Sequence, residues 1–272
     1  MDNRSIGIFD SGLGGLTAAR ALIGLLPRED IVFLGDTARI PYGDNDVPTI
    51  LRYAKEDIGF LAAKNVKIIL AACGTVSSNI TEEVKAGSPV PFVGVLDPTV
   101  EAAVRKTANG RIGIIATEAT VRSGAFQRKL LEKDPNIQVT AVGCPKLVPL
   151  IEGGRTSPEC SDTMEAVKEY MAPILENGCD TLILGCTHYP LIEHFIERIS
   201  DRQLNFINAG EEATALISDI LRDKDAFADR KGKGSQRFCV TSDPGRFARL
   251  AQIFLNRDIS EQVTLEPWPK TF

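Results

Sequence analysis

Leu70-Ala71-Ala72-Cys73-Gly74-Thr75 and Leu182-Ile183-Leu184-Gly185-Cys186-Thr187 are the two stretches on which the fold turns. Each ends a short apolar run in a small residue and a cysteine, with a threonine close behind. An apolar run without polar alternation reads as a strand buried on both faces. Outward from these stretches, Ile6–Phe9, Ile31–Leu34, Lys67–Ala71 and Phe92–Val95 read the same way. So do Arg111–Ile115, Gln138–Val142, Thr181–Leu184, Asn205–Ile207 and Arg237–Thr241. Helical patterns separate them, for example Leu16–Leu26, Thr49–Lys64, Pro158–Asn177 and Glu211–Leu221. Buried strands alternating with helices predict an α/β fold with mostly parallel sheets. In such sheets ligands sit beyond the carboxyl ends of the strands.

The two cysteine stretches belong to a longer internal repeat. Ile6-Gly7-Ile8-Phe9-Asp10 matches Ile112-Gly113-Ile114-Ile115-Ala116. Ile40-Pro41-Tyr42-Gly43 follows the second strand as Val148-Pro149-Leu150 follows Val139–Val142. Three matches in the same order, at a nearly constant offset, predict two similar pseudo-symmetric α/β domains. If the two units face each other, the active site lies in the cleft between them.

Composition excludes several classes. At 272 residues the chain is one large domain or two small ones. It is 43% hydrophobic and 25% charged, ordinary values for a globular chain. Runs such as Val66–Cys73 are too short to span a bilayer, so no membrane partner is expected. The first residues show no charged segment leading into an apolar one, which predicts a cytoplasmic location. A net charge of −5 without a basic tract argues against nucleic acid as a partner. The run Ala228–Ser235 reads as a solvated turn. Six cysteines are present and no two form a C-x-x-C pair, so they are expected as free thiols.

Two thiols facing each other across one cleft suit a two-base reaction. One thiolate removes a proton from one face of a carbon, and the opposite thiol delivers a proton to the other face. A free cysteine titrates near 8.5, and a helix N-terminus or a nearby cation lowers that value. Both Cys73 and Cys186 are expected immediately before helices. His188, two residues after Cys186, is placed to hold or shuttle a proton. Asp10 ends the first strand, and Glu152 lies in the loop that matches Pro41–Gly43. Either carboxylate can relay protons to a thiol. The hydroxyls of Ser11, Thr75 and Thr187, with backbone N–H groups at helix starts, can hold a substrate carboxylate. His194 is expected on a helix surface.

Other readings compete. Cys73 and Cys186 could be two buried structural thiols, and Cys144, Cys160, Cys179 and Cys239 read as such. A zinc site from Cys73, Cys186 and His188 lacks a fourth ligand and ordinary metal spacing, so no metal is expected. Gly12-Leu13-Gly14-Gly15 with Asp36 suggests a dinucleotide-binding oxidoreductase, but G-x-G-x-x-G needs glycine where Thr17 stands. A non-catalytic binding protein on the same fold is the third reading.

Ile8–Arg20 (IFDSGLGGLTAAR), Gly35–Gly43 (GDTARIPYG), Val148–Gly154 (VPLIEGG) and Gly185–Ile192 (GCTHYPLI) resemble glutamate racemases, of the aspartate/glutamate racemase superfamily. The likeness runs in order over most of the chain and is weakest after about residue 210. It implies a cofactor-independent enzyme that interconverts L- and D-glutamate and supplies D-glutamate for peptidoglycan. It implies Cys73 and Cys186 as the catalytic bases, Cys73 acting on D-glutamate and Cys186 on L-glutamate. Asp10 would assist Cys73, while His188 and Glu152 would assist Cys186. Substrate contacts would come from Ser11, Pro41, Tyr42, Gly43, Gly74, Thr75, Thr117, Thr120 and Thr187. The resemblance also implies a homodimer, and domains of residues 1–97 plus 210–272 and of residues 98–209. One position departs from the family pattern. Gly74 stands where the family usually has asparagine after the first cysteine. Loss of that side-chain donor leaves a racemase of another acidic amino acid, such as aspartate, as the alternative. Gly74→Asn is expected to be accommodated and to tighten glutamate binding.

Overall fold

The computed structural model describes residues 1–200 and 204–268. The expected domain ranges include residues 201–203 and 269–272, which lie outside the described residues. The strands are β1 (Ile6–Asp10), β2 (Ile31–Gly35), β3 (Ile68–Ala71), β4 (Phe92–Gly94) and β5 (Arg111–Ala116). They continue as β6 (Gln138–Gly143), β7 (Thr181–Leu184), β8 (Asn205–Asn208), β9 (Gln236–Val240) and β10 (Val263–Leu265). Every residue of β1, β2, β3 and β7 is buried, because helices cover both faces.

The strands form two sheets, and every pairing in them is parallel. One runs β10-β9-β2-β1-β3-β4 and the other β6-β5-β7-β8. The repeat seen in the sequence is therefore a repeat of topology. The order β2-β1-β3-β4 in the first sheet is the order β6-β5-β7-β8 in the second. The registers agree as well. Ile6 pairs with Ile31 and Ile68, and Ile112 pairs with Val139 and Thr181. This common register brings Asp10 and Cys73 to the carboxyl edge of one sheet. It brings Thr117, Cys144 and Cys186 to the same edge of the other.

One buried apolar cluster runs through both sheets, and each sheet also packs into a cluster of its own. Leu16, Phe33 and Phe238 of the first unit belong to the same buried cluster as Leu184, Tyr189 and Ile217. The helix Ala209–Asp223 joins them. Asn208 caps it by accepting from the backbone N–H of Gly210 at 3.1 Å. Its first turn lies hard against the helix Leu16–Leu25: a Cβ added at Gly210 would stand 2.9 Å from the Ala18 Cα. Among the described residues, no helix is long and apolar enough to cross a membrane.

Three expectations change here. Cys73 does precede a helix, Gly74–Asn79, and is its N-cap residue. Cys186 does not: a turn and the 3₁₀ segment Tyr189–Ile192 stand between it and the helix Glu193–Ile199. Pro190 enters that turn and disfavours an earlier α-helix. Glu152 is the last residue of the helix Leu147–Glu152 rather than a loop residue. His194 is half-buried, not exposed, and its Nε2 is enclosed with no hydrogen-bond partner among the described residues.

Candidate active site

A cavity of about 460 Å³ opens between the carboxyl edges of the two sheets. That volume suits a small ligand. All the site residues named from sequence line it: Asp10, Ser11, Pro41, Tyr42, Gly43, Cys73, Gly74, Thr75, Thr117, Thr120, Glu152, Cys186, Thr187 and His188. Loops after β1, β2 and β3 supply one wall, and loops after β5, β6 and β7 the other.

The units approach closely around the cavity. Thr17 donates its hydroxyl to the Thr187 carbonyl at 2.7 Å. Gly14 faces the same turn: a Cβ there would stand 2.2 Å from Thr187 Oγ1 and 2.6 Å from His188 Nδ1. Only glycine allows that approach. Gly74 is the second close point. Its Cβ would meet the Gly185 carbonyl oxygen at 3.1 Å and Thr120 Oγ1 at 3.9 Å. Whether asparagine is accommodated at 74 turns on that backbone, which leads into Cys186, giving way by a few tenths of an ångström.

Each wall carries one buried thiol with its own partners. Cys73 Sγ lies 3.5 Å from Ser11 Oγ. Burial, and then the nearby Asp10 carboxylate, push the Cys73 thiol up to about 12, so it holds its proton at neutral pH. Asp10 is itself buried, which pushes its carboxyl up, although it accepts from the Gly12 N–H at 2.9 Å. On the other wall Cys186 Sγ lies 3.6 Å from His188 Nδ1, and His188 Nε2 lies 3.1 Å from Glu152 Oε1. Burial opposes a charge on His188. The contacts to Cys186 and Glu152 outweigh it and carry the imidazole up to about 10. Glu152 is held below its usual range by that hydrogen bond. Both His188 nitrogens are therefore committed, and a proton can pass between Sγ and Nδ1 along a direct contact.

The family model for Asp/Glu/Hydantoin racemase matches residues 34–217, which carry both thiols. The chain belongs to the Asp/Glu/Hydantoin racemase family. It is 36% identical over 265 residues to a glutamate racemase of Geobacter metallireducens, covering 97% of each chain. It is 39% identical to a glutamate racemase of Streptococcus pneumoniae, covering 95% of this chain and 97% of that one. The crystal structure of a Francisella tularensis glutamate racemase in complex with D-glutamate superposes with a TM-score of 0.88. That protein is 34% identical, and 98% of each chain is covered.

Several side chains of this racemase play parts that their sequence context did not reveal. Tyr42 lines the cavity, yet its phenol points away into a buried network with Asp36 and Asp57. A phenol has one hydrogen, and two carboxylates lie within 2.5 Å and 2.9 Å of its oxygen. Asp57, pushed well above the usual carboxylate range by burial, supplies the second proton. Asp36 is fully buried in the same network, so it is closed to a ribose and the dinucleotide reading loses its acidic residue. Phe254 stands edge-on to the His188 ring at 5.4 Å, and nothing in the sequence near His188 points to it. Cys144 is a third thiol on the cavity wall, raised to about 12 by burial. Arg122 is the one lysine or arginine among the described residues lining the cavity. Among the described residues, no group of three or more His, Cys, Asp or Glu side chains is arranged to hold a metal.

Proposed function

We propose that this chain is a glutamate racemase that works by two opposed cysteine bases without a cofactor. The observation that carries the reading is one cavity lined by a buried thiol from each of two topologically equivalent units. The relatives add the substrate. They are glutamate racemases, and one structural neighbour is a complex with D-glutamate.

With L-glutamate, Cys186 as the thiolate takes the α-proton. The electron pair left on Cα delocalises into the α-carboxylate. Cys73, a neutral thiol at rest, donates its proton to the opposite face and becomes the thiolate. The atoms balance, and the enzyme is left in the protonation state that accepts D-glutamate. His188 and Asp10 adjust the proton on their respective thiols. Thr75, Thr187 and the backbone of residues 73–75 hold the α-carboxylate, where charge builds up. Ser11, Thr117, Thr120 and the Pro41–Gly43 backbone hold the rest of the substrate.

The same reading assigns residues 1–97 plus 210–272 to one domain and 98–209 to the other. It takes the D-glutamate product to peptidoglycan and places the enzyme in the cytoplasm as a homodimer. The test is proton NMR in D₂O with each glutamate enantiomer, no added cofactor, chiral analysis in parallel, and aspartate as a second substrate. Loss of the α-proton signal as the other enantiomer appears is expected with glutamate. Exchange with aspartate alone would replace glutamate as the substrate, and exchange with neither would remove the racemase reading.

A further inference from the structure

Outside the cavity, four donors converge on one fully buried carboxylate, Asp36. Trp268 Nε1 donates to Oδ1 at 2.7 Å and Thr241 Oγ1 donates to it at 2.8 Å. Tyr42 donates to Oδ2 at 2.5 Å, and Arg39 donates to the same oxygen through Nε. The Arg39 guanidinium lies between two aromatic rings, 4.1 Å from the Tyr53 centroid and 4.4 Å from that of Trp268. Its Nη1 pairs with Glu56, and its Nη2 lies 3.5 Å from Asp57 Oδ1. Trp268 thus touches Asp36 through its N–H and Arg39 through its face.

Trp268 is held there from behind. The strand β10 pairs with β9 at the sheet edge. Glu266 accepts from Lys64 Nζ at 2.8 Å, and the Trp268 ring stands edge-on to Phe60 at 6.1 Å. Lys64 and Phe60 belong to or flank the helix Val47–Ala63. The segment Val263–Trp268 therefore forms a strap across the outside of the first sheet and that helix.

What the strap holds is the cavity wall. Asp36 and Arg39 begin the loop that continues as Ile40, Pro41, Tyr42, Gly43 and Asp44, all of which line the cavity. Tyr42 is 1% exposed, and its anchored phenol fixes the backbone that faces the substrate. The loop has other supports: Asn45 bonds the Pro41 carbonyl at 3.0 Å and the Tyr42 carbonyl at 3.1 Å, the Ala38 N–H donates to Thr241 Oγ1 at 2.9 Å, and the Tyr42 ring packs on Tyr53 at 5.1 Å. We propose that Trp268 is a positioning residue for the Ile40–Asp44 wall, acting through Asp36, Arg39 and Tyr42 without touching the cavity.

The kinetic arm of the test rests on the reading of this cavity as a glutamate site; the hydrogen-exchange arm does not. Trp268→Ala and Trp268→Phe are compared with the unaltered chain by amide exchange and by steady-state kinetics. In Trp268→Ala, exchange across residues 37–46 is expected to rise roughly tenfold. Exchange in β5 and β7 is expected to stay unchanged. Trp268→Phe keeps a ring over Arg39 but loses the N–H to Asp36, and falls between. KM for glutamate is expected to rise roughly tenfold in Trp268→Ala, with kcat within about threefold. Unchanged exchange at residues 37–46, or an equal rise in β5 and β7, overturns the proposal. So does a fall in kcat at constant KM. If the unaltered chain leaves both glutamate enantiomers untouched, the glutamate reading fails and the exchange result decides the strap by itself.

Discussion

The Cys73 wall and the Cys186 wall descend from one topology but handle protons differently. On the Cys73 side a buried carboxyl and a serine hydroxyl attend the thiol, which burial keeps protonated. On the Cys186 side a histidine joined to a carboxylate attends it, and that histidine is cationic well above neutral pH. The contrast follows from what the equivalent loops carry. The first unit has Gly74-Thr75 after its cysteine and a helix cap at once. The second has Thr187-His188 and a turn, which delays the helix and leaves room for the imidazole. Equivalent folds need not mean equivalent chemistry: strand order fixes where a group stands, and loop sequence fixes its charge.

The largest expected effect removes the comparison altogether. Cys73→Ala or Cys186→Ala is expected to lower racemisation by about 10⁴-fold or more in both directions, measured by circular dichroism of the amino acid. Normal racemisation in either single variant would break the two-base reading.

Asp10→Asn and His188→Asn separate the walls. Each is expected to lower kcat by roughly 10²–10⁴-fold. Enantiomers have equal free energy, so kcat/KM must fall equally in the two directions whichever wall is damaged. An asymmetry can appear only in kcat and KM taken singly and in isotope effects, of which the isotope effects report the proton-transfer step. With α-deuterated substrate, Asp10→Asn should enlarge the effect for D-glutamate and His188→Asn that for L-glutamate. Identical isotope patterns in the two variants would mean the walls are not independent.

A smaller effect concerns pH. His188 is raised to about 10, and Glu152 is one of the contacts that raise it. Its imidazolium therefore persists below about 10, and the stabilisation it lends the fold is full below its ordinary 6.5 and lost as pH rises through about 10. Glu152→Gln weakens that support, so the alkaline limb of the rate profile should move to lower pH, by roughly one unit. A limb that stays in place assigns the shift to the Cys186 contact.

The smallest effect is at Gly74. With its Cβ site 3.1 Å from the Gly185 carbonyl, Gly74→Asn should lower kcat/KM by roughly 3- to 10-fold rather than improve it. An improved kcat/KM for glutamate would show that the Gly185–Cys186 backbone yields easily.

Much of this was legible in the sequence because the repeat is written in apolar strands, whose burial on both faces leaves a continuous signal. The cysteines were legible because each follows a small residue at a strand end. The turn after Cys186 was less legible, since the proline that delays the helix also reads as an ordinary helix start. Strand β10 is not legible because it has three residues, half-buried or exposed, and so carries little apolar pattern. The direction of the Tyr42 phenol, the packing of Phe254 on His188 and the Trp268 contact to Asp36 were not legible. They join residues 6 to 232 positions apart in the chain or more weakly patterned loops, and only the tertiary fold brings them together.

The shared strand order bears on stereochemistry itself. No rotation converts an amino acid into its mirror image, and the two faces of a trigonal α-carbon are likewise mirror images of each other. Two copies of one strand order bring their carboxyl edges to a single cavity. The protein is built from one chirality of building block and cannot contain a mirror plane. On the two-base reading the walls therefore cannot be mirror images, and each meets its own face of the α-carbon with its own side chains, the serine beside Cys73 and the imidazole beside Cys186.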